Sequence, residues 1–213
     1  MRILKCSEEL DSETVENIKK AADDINNGKM VVYPTETVYG IGADIFNQKV
    51  IKSLYLVKKR PFDMPLSVAV ADKDMIENIA VMTRNVEKLV DAFLPGPLTI
   101  ITRKTSSVPD IATSMSQKVG IRIPDNKIAV ELIRQSGVPI VATSANVHSH
   151  PDAVTVDEAV RDFGEKVPTY LDAGKCTIGK PSTIVWIMGD DVEIIRQGAI
   201  TKKQIEDVLN AKS

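Results

Sequence analysis

Apolar residues recur along the chain with two different periods. Helical spacing, with an apolar residue every three or four positions, predicts a series of helices, and short apolar runs bounded by proline, glycine or polar clusters predict strands between them. The predicted helices are 12–27, 48–58, 73–80, 84–93, 126–135, a short helix after 155 and a last helix after 201. The predicted strands are 30–33, 66–70, 98–102, 119–123, 138–143, 182–188 and 192–196.

Capping residues support several of these helix boundaries. Thr83 has the position of an N-cap, where a hydroxyl accepts a hydrogen bond from a free backbone N–H. Thr155 with Glu158, and Thr201 with Gln204, have the spacing of capping boxes. Each pair predicts that a helix begins at that point.

Helices and strands are intermixed over 1–213, with no linker, repeat or low-complexity segment between them. This order predicts a single α/β domain. Strands 182–188 and 192–196 flank Gly-Asp-Asp, which is typical of a hairpin and therefore favours a mixed sheet with flanking helices. Polar clusters stand where strands begin or end, and ligands of open α/β sheets bind at strand ends.

Composition adds little to the choice of function. Hydrophobic residues make up 43% and charged residues 26%, as in ordinary soluble domains, and the net charge of −2 gives no bulk argument for nucleic-acid binding. Cys6 and Cys176 are far apart, so neither a disulfide framework nor a cysteine metal site is indicated. Acidic residues within the first eight positions and the lack of long apolar runs predict a cytoplasmic protein with no signal peptide or membrane span.

Two chemical patterns are weak. Residues 174–180 match the spacing of a phosphate-binding P-loop, but Pro181 follows where a magnesium-binding hydroxyl and a helix are needed. His148 and His150, with Asp152, resemble a metal site only loosely, and a solvated loop is the simpler interpretation.

The cations allow two interpretations each. Lys58 and Arg60 follow a predicted helix, where a solvated basic helix end and a phosphate clamp are both possible. Arg122 lies in the apolar run VGIRIP, and either the strand has a wet face or the guanidinium points at an anion in a cleft. The same alternatives hold for Arg196. Hydroxyls and amides at neighbouring strand ends favour a site for an anionic ligand such as a nucleotide.

The stretch VVYPTETVYGIGAD leaves the core at Pro34 and places many polar groups on one turn. Gly40 and Gly42 suggest a backbone that turns closely around a substrate. Tyr39 is expected to form a wall with its phenol in a polar network. Glu36 would repel a triphosphate, so we expect it to orient a nearby cation such as Arg60.

Together the motifs PTETVYGIGAD, KKRP, PLSV, LPGPLT, VGIRIP, GVPIVATSAN and STIV…IIRQGAI resemble the YrdC family of threonylcarbamoyl-AMP synthases, over about 14–205. Because the chain stops at Ser213, it resembles the stand-alone catalytic domain. The resemblance implies a twisted sheet with a concave basic cavity. It also implies synthesis of threonylcarbamoyl-AMP and pyrophosphate from L-threonine, bicarbonate (or CO2) and ATP, with Mg²⁺ accompanying ATP and no organic cofactor.

The resemblance also implies partners and ligand contacts. A separate transferase complex would use the product to modify tRNA, and direct contact with tRNA or double-stranded RNA is possible. The residues expected at ATP are Lys58, Arg60, Lys118, Ser144, Asn146, Asp152 and Arg196, of which Lys58 and Arg60 would be catalytic. The residues expected at threonine are Thr35, Thr37, Arg122, Ala142 and Ser182.

Some positions differ from the family's pattern. Met64 and Ala69 stand where longer relatives often carry Asn and His, and VHSHPDAV replaces a tail rich in Ser, Gly and Pro. Two rival functions are also open at this stage. One is a binding module for double-stranded RNA or tRNA without catalysis, and the other is carbamoyl adenylation for a different acceptor.

Overall fold

The computed structural model describes residues 1–189 and 191–211. The strands are β1 (Arg2–Lys5), β2 (Val31–Tyr33), β3 (Gly40–Gly42), β4 (Ser67–Ala69), β5 (Leu98–Arg103), β6 (Lys118–Arg122), β7 (Ile140–Ser144), β8 (Thr169–Asp172), β9 (Thr183–Met188) and β10 (Asp191–Arg196). The helices are α1 (Ser12–Asn26), α2 (Gln48–Val57), α3 (Lys73–Ile79), α4 (Arg84–Phe93), α5 (Lys127–Ser136), α6 (Val156–Phe163) and α7 (Lys202–Asn210).

These strands form one sheet in the order β1-β8-β2-β3-β7-β4-β6-β5-β9-β10. The pairs β1–β8, β8–β2, β4–β6 and β5–β9 are parallel, and the remaining neighbours are antiparallel. The predicted α/β class with a mixed sheet and flanking helices is therefore confirmed. Among the helices of the described chain, none combines the length and apolarity needed to cross a bilayer.

The two faces of the sheet are covered unequally. One face carries the larger apolar cluster and packs against α2, α3, α4, α6 and α7. On the other face, α1 and α5 cover only the half built from β1, β8, β2, β3 and the adjoining parts of β7 and β4. Over the rest of this second face, no helix of the described chain packs on the sheet. We call this uncovered area the open face; it includes Lys118, Gly120 and Arg122 of β6, Ile101 and Arg103 of β5, and Ile184 and Trp186 of β9.

The predicted capping signals are confirmed. The Thr83 side chain accepts a hydrogen bond from the backbone of α4, and both capping boxes are formed, at Thr155 with Glu158 and at Thr201 with Gln204. Strands β9 and β10 pair antiparallel, as the hairpin prediction requires. The middle residue of the Gly-Asp-Asp turn, Asp190, lies outside the described residues.

Three strands were not predicted, namely β1, β3 and β8. Strand β3 corrects the interpretation of Gly40 and Gly42 as a turn around substrate, because both pair regularly with β2 and Gly40 also pairs with β7. A Cβ on Gly40 would lie 2.8 Å from Cζ of Tyr33, and one on Gly42 would lie 2.9 Å from its Cε1. Glycine is needed here so that the buried ring of Tyr33 can lie across the sheet.

Replacing Gly40 with alanine should destabilise the fold, because the new methyl group overlaps the Tyr33 ring. Overpacking of this kind costs about 1–3 kcal/mol, which urea unfolding can measure. In a Tyr33→Leu background the same substitution should cost less, since the ring that it meets is gone. An equal cost in both backgrounds would contradict this account of the two glycines.

Candidate functional site

Strand β6 forms the middle of the open face. Lys118, Gly120 and Arg122 share this face because side chains two positions apart point to the same side of a strand. Gly120 keeps the surface low between the two cations. A Cβ there would lie 3.0 Å from Oγ of Ser67 and 3.3 Å from Cγ2 of Thr99.

Strand register brings further predicted residues to the same face. Ser67 pairs with both Gly120 and Ala142, so β7 contributes Ala142 and, two positions on, Ser144. A bulge between Ile194 and Arg196 pairs Arg196 with Ile184. Because of this one-residue shift, the side chain of Arg196 points towards the open face. The structure thus brings together Lys118, Arg122, Ala142, Ser144, Ser182 and Arg196.

Two arginines are fixed by backbone carbonyls. Arg60 donates from Nε to the Met64 carbonyl at 3.1 Å and from Nη2 to the Pro65 carbonyl at 2.9 Å. Arg196 donates from Nε and Nη2 to the Ser182 carbonyl at 3.1 and 2.9 Å. Within the described chain, Nη1 of each has no acceptor. Each guanidinium is therefore oriented by two of its nitrogens.

Arg122 is fixed differently, and its partner corrects one expectation. Its Nε donates to the Gly96 carbonyl at 3.2 Å, and its Nη2 donates to Oε1 of Glu36 at 2.5 Å. The expectation that Glu36 orients a nearby cation is confirmed, but that cation is not the suggested Arg60. Arg60 is already held by the carbonyls of its own loop, and the cation that Glu36 pairs with is Arg122, at the end of β6.

Lys58 is buried beneath the polar turn that follows β7. Its exposed fraction is 2%, and Nζ donates to the carbonyls of Ser144 and Asn146, the latter at 2.7 Å. The same turn is closed by Ser144 Oγ, which donates to Oδ1 of Asn146 at 2.5 Å. The interpretation of Lys58 as a solvated helix end is therefore wrong.

The cations are close enough to influence one another. Burial, and then repulsion from Arg60, lowers the pKa of Lys58 to about 7. Burial also lowers the pKa of Arg196; Asp152 partly offsets this, and Arg122 and Arg60 add to it. Asp152 favours the charged forms of both Lys58 and Arg196. Lys58 is buried, Arg60 and Arg122 are half-buried, and Arg196 is exposed. A cluster of four cations with few counter-charges is a place where an anion is stabilised.

The threonines of the PTET turn use their hydroxyl groups locally. Thr35 Oγ1 donates to the Val38 carbonyl at 2.7 Å and lies 2.9 Å from Oγ1 of Thr37, which leaves Thr37 as the donor of that pair. The prediction that both hydroxyls point to substrate therefore needs correction, because both protons close the turn. Tyr39 fits its predicted role in a polar network, since its OH donates to the Gly174 carbonyl at 2.7 Å.

The segment with P-loop spacing lies against the PTET turn and does not form a phosphate loop. The backbone N–H of Ile178 donates to the Glu36 carbonyl at 2.8 Å, and that of Gly179 donates to the Thr37 carbonyl at 3.0 Å. Strand β9 follows Pro181, where a P-loop requires a helix. Together with Pro34, Thr35, Glu36 and Pro97, this segment lines a cavity of about 260 Å³.

The comparisons with known proteins agree with this arrangement. The model of the Sua5/YciO/YrdC family, whose description reads "Telomere recombination", matches residues 23–198. The chain belongs to this family.

Relatives within the family differ in length. A Methanocaldococcus jannaschii protein, provisionally named a threonylcarbamoyl-AMP synthase, is 42% identical over 94% of this chain and 93% of its own. The threonylcarbamoyl-AMP synthase of Pyrococcus abyssi is 35% identical over 90% of this chain but only 57% of its own, so the chain spans a little over half of that relative. The structure of P. abyssi Sua5 complexed with L-threonine superposes with a TM-score of 0.94 at 32% identity, covering 99% of this chain and 61% of that one.

Three residues of the open face were not predicted from the sequence. Thr99 hydrogen-bonds Ser182 through their hydroxyls at 2.9 Å, and Ser67 flanks Gly120. Both are isolated polar residues in apolar runs, which was a usable signal. Trp186 lies under Lys118, whose Nζ is 3.2 Å from the ring centroid, and no local pattern indicated that contact.

The positions that depart from the family's pattern have simple structural explanations. Met64 contributes its backbone, since its carbonyl accepts from Arg60 and from the Tyr55 hydroxyl at 3.0 Å. Ala69 is buried in the apolar cluster under α1 and α5.

The weak metal pattern does not form a metal site. His150 Nδ1 lies 2.8 Å from Oδ1 of Asp162, which makes the histidine part of a surface pair. Residues 1–189 and 191–211 contain no group of three or more His, Cys, Asp or Glu side chains placed to hold a metal ion.

The depressed pKa of Lys58 predicts a change of stability with pH. Above about pH 7 the folded protein releases this proton, whereas the unfolded chain keeps it up to about its ordinary value of 10.5. Stability attributable to Lys58 therefore rises with pH across this window, by at most about 1.4 kcal/mol per pH unit. Urea unfolding between pH 7 and 9 should show the wild-type protein gaining stability relative to Lys58→Met.

The exposed neighbour Lys59 provides the matched control. Lys59→Met should keep the pH dependence of the wild-type protein. If Lys58→Met also follows the wild-type curve across this range, the pKa of Lys58 is not lowered in the folded protein.

Proposed function

We propose that this protein is a threonylcarbamoyl-AMP synthase, which combines L-threonine, bicarbonate and ATP and releases pyrophosphate. The observation that carries the proposal is the group of four cations, Lys58, Arg60, Arg122 and Arg196, held beside the open face. Their orientations are set by hydrogen bonds before any ligand arrives. The names of the relatives that share this fold and most of this sequence support the same activity.

The amino-acid end of the site is proposed at Arg122 and Ser182. Nη1 of Arg122 would donate to the threonine carboxylate, a charge-assisted contact worth about 1.5–3 kcal/mol. The hydroxyl of Ser182 is fixed by Thr99 and by Arg196, whose Nη2 is 3.3 Å away. In this proposal, bicarbonate takes up a proton and loses water to give CO2, and the threonine ammonium loses one proton to give the amine. The amine attacks CO2, a C–N bond forms as one C–O π bond opens to an oxyanion, and a second proton leaves the nitrogen, giving a carbamate.

The nucleotide end is proposed at Lys58, Arg60 and Arg196. A carbamate oxygen attacks the α-phosphorus of ATP, the bond from that phosphorus to the bridging oxygen breaks, and pyrophosphate leaves with the bonding electrons. The nucleophile is already an anion, so this step requires the two anions to be held together against their repulsion. Fixed guanidinium groups supply this, because they need no reorientation as charge moves from the carbamate to the leaving group.

Mg²⁺ is proposed to arrive with ATP. Magnesium at triphosphates is usually bound by phosphate oxygens, water and one or two carboxylates, so a dedicated protein cage is not needed. Asp152, whose charge influences both Lys58 and Arg196, is the carboxylate that we propose for this role. The ion would neutralise part of the triphosphate charge.

The wider context is also part of the proposal. A second enzyme would transfer the threonylcarbamoyl group to tRNA, and the two free cysteines fit a reducing compartment such as the cytoplasm. A reader of double-stranded RNA needs cations spread over a surface. Here the cations converge, and Lys58 is 2% exposed. The catalytic interpretation is therefore preferred to the RNA-binding module.

Purified protein should release pyrophosphate from ATP only when L-threonine and bicarbonate are both present. The product should carry label from ¹⁴C-bicarbonate and from labelled threonine, since the carbon of bicarbonate and the atoms of threonine both remain in threonylcarbamoyl-AMP. Serine or valine should support much less turnover. If carbamoyl phosphate replaces threonine and bicarbonate, the protein adenylates carbamoyl groups for another acceptor and the proposal is wrong.

Arg60→Ala should lower kcat by about 100-fold or more, because one fixed donor to the reacting phosphates is lost. The fold should survive, since the Arg60 side chain bonds only carbonyls of its own loop. Circular dichroism and urea unfolding check the fold, and pyrophosphate release gives kcat. Lys59→Ala, at the exposed neighbouring position, should leave kcat unchanged. Equal rates for the Arg60 and Lys59 variants would remove Arg60 from the reaction.

A further inference from the structure

One buried oxygen atom in the site has no hydrogen-bond partner among the described residues, and the proposed function gives it no role. Oε2 of Glu36 is buried and makes no hydrogen bond, and it is the one such side-chain nitrogen or oxygen within residues 1–189 and 191–211. The whole residue is only 8% exposed. A buried carboxylate oxygen without a donor is unfavourable, because it has lost water and gained nothing in return.

The Glu36 carboxylate is not free to move away and find a donor. Its backbone carbonyl accepts from the Ile178 N–H at 2.8 Å and from Oγ1 of Thr177 at 3.2 Å. Its Oε1 is held by Arg122 at 2.5 Å. The turn that contains Glu36 is closed by the Thr35 and Thr37 hydroxyls. The orphan oxygen is therefore fixed in position, in a residue that helps to line the cavity.

Beside this orphan acceptor lies an orphan donor. In the described chain, Nη1 of Arg122 has no acceptor, while Nε and Nη2 are both held. Arg122 and Glu36 thus present one positive and one negative group side by side, each with unused hydrogen-bonding capacity. This is the complement of a zwitterion, in which a carboxylate and an ammonium group are attached to the same carbon atom.

We infer that Glu36 binds the α-amino group of the substrate amino acid through Oε2, while Arg122 binds its carboxylate. This inference rests on the function proposed above and adds a specificity-determining residue to it. Glu36 gives a reason why the site would select an amino acid over a hydroxy acid with the same carboxylate and side chain. After carbamate formation, the nitrogen keeps one N–H, which can still donate to Oε2.

A purely structural role makes a different prediction. If Glu36 serves only to hold Arg122, removing its charge should weaken every carboxylate ligand to a similar extent. If Glu36 binds the amine, only ligands with an amine should be affected. The two roles are therefore separated by comparing L-threonine with 3-hydroxybutyrate, which lacks the amino group and keeps the carboxylate and hydroxyl.

The experiment is isothermal titration calorimetry of both ligands with the wild-type protein and with Glu36→Gln. We expect the wild-type protein to bind L-threonine at least about tenfold more tightly than 3-hydroxybutyrate, because a site that bonds a polar group rejects an analogue without it. Glu36→Gln should remove most of this difference by weakening threonine alone. Glu8→Gln, an exposed carboxylate on the rim of the same cavity, should leave both affinities unchanged.

Equal weakening of both ligands in Glu36→Gln, or no change for threonine, would overturn the inference while leaving the proposed function intact. If the wild-type protein binds no L-threonine at all, the inference and the proposed function both fail. Should Glu36→Gln not fold, the wild-type comparison decides on its own: equal affinity for the two ligands would show that no group of the protein binds the amine.

Discussion

Mutual repulsion among Lys58, Arg60, Arg122 and Arg196 is the constraint around which the rest of this structure is arranged. Cations that face one another would move apart if their side chains were free. Each is instead held by carbonyl or carboxylate oxygens, and those oxygens belong to loops that the sheet positions. The stability of the core thereby maintains an electrostatic arrangement that is unfavourable until an anion arrives, which is how a binding site stays prepared for its ligand.

The open face exists because the covering layer is incomplete. Helices α1 and α5 pack together over one half of the second face. Among the described residues, no third helix covers this face of β6, β5, β9 and β10. Strand alternation then decides which side chains meet the solvent there. Apolar residues of these strands point to the larger core, and the residues between them, such as Gly120 and Arg122, form the surface on which a ligand can lie.

Much of this arrangement was predictable from the sequence. Amphipathic periods and capping residues predict all seven α-helices of the described residues, and the resemblance to the YrdC family assigns Arg122, Ser144 and Arg196 to one ligand cavity. Short strands were missed where the local pattern is weak: β3 consists largely of glycine, whose role depends on Tyr33 from another strand. For the same reason the sequence indicated that Glu36 pairs with a nearby cation but not which one, since the choice between Arg60 and Arg122 is decided by long-range packing.

The hydrogen bonds of Lys58 join two segments that are far apart in sequence. Its ammonium holds the carbonyls after β7, and in return the backbone N–H of His148 donates to the Lys58 carbonyl at 2.7 Å. The end of α2 and the turn after β7 therefore hold each other in position. A designer who wished to replace one of these segments could not transplant it alone, because each supplies the acceptors or donors that shape the other. Engineering of this site would have to exchange them as a pair.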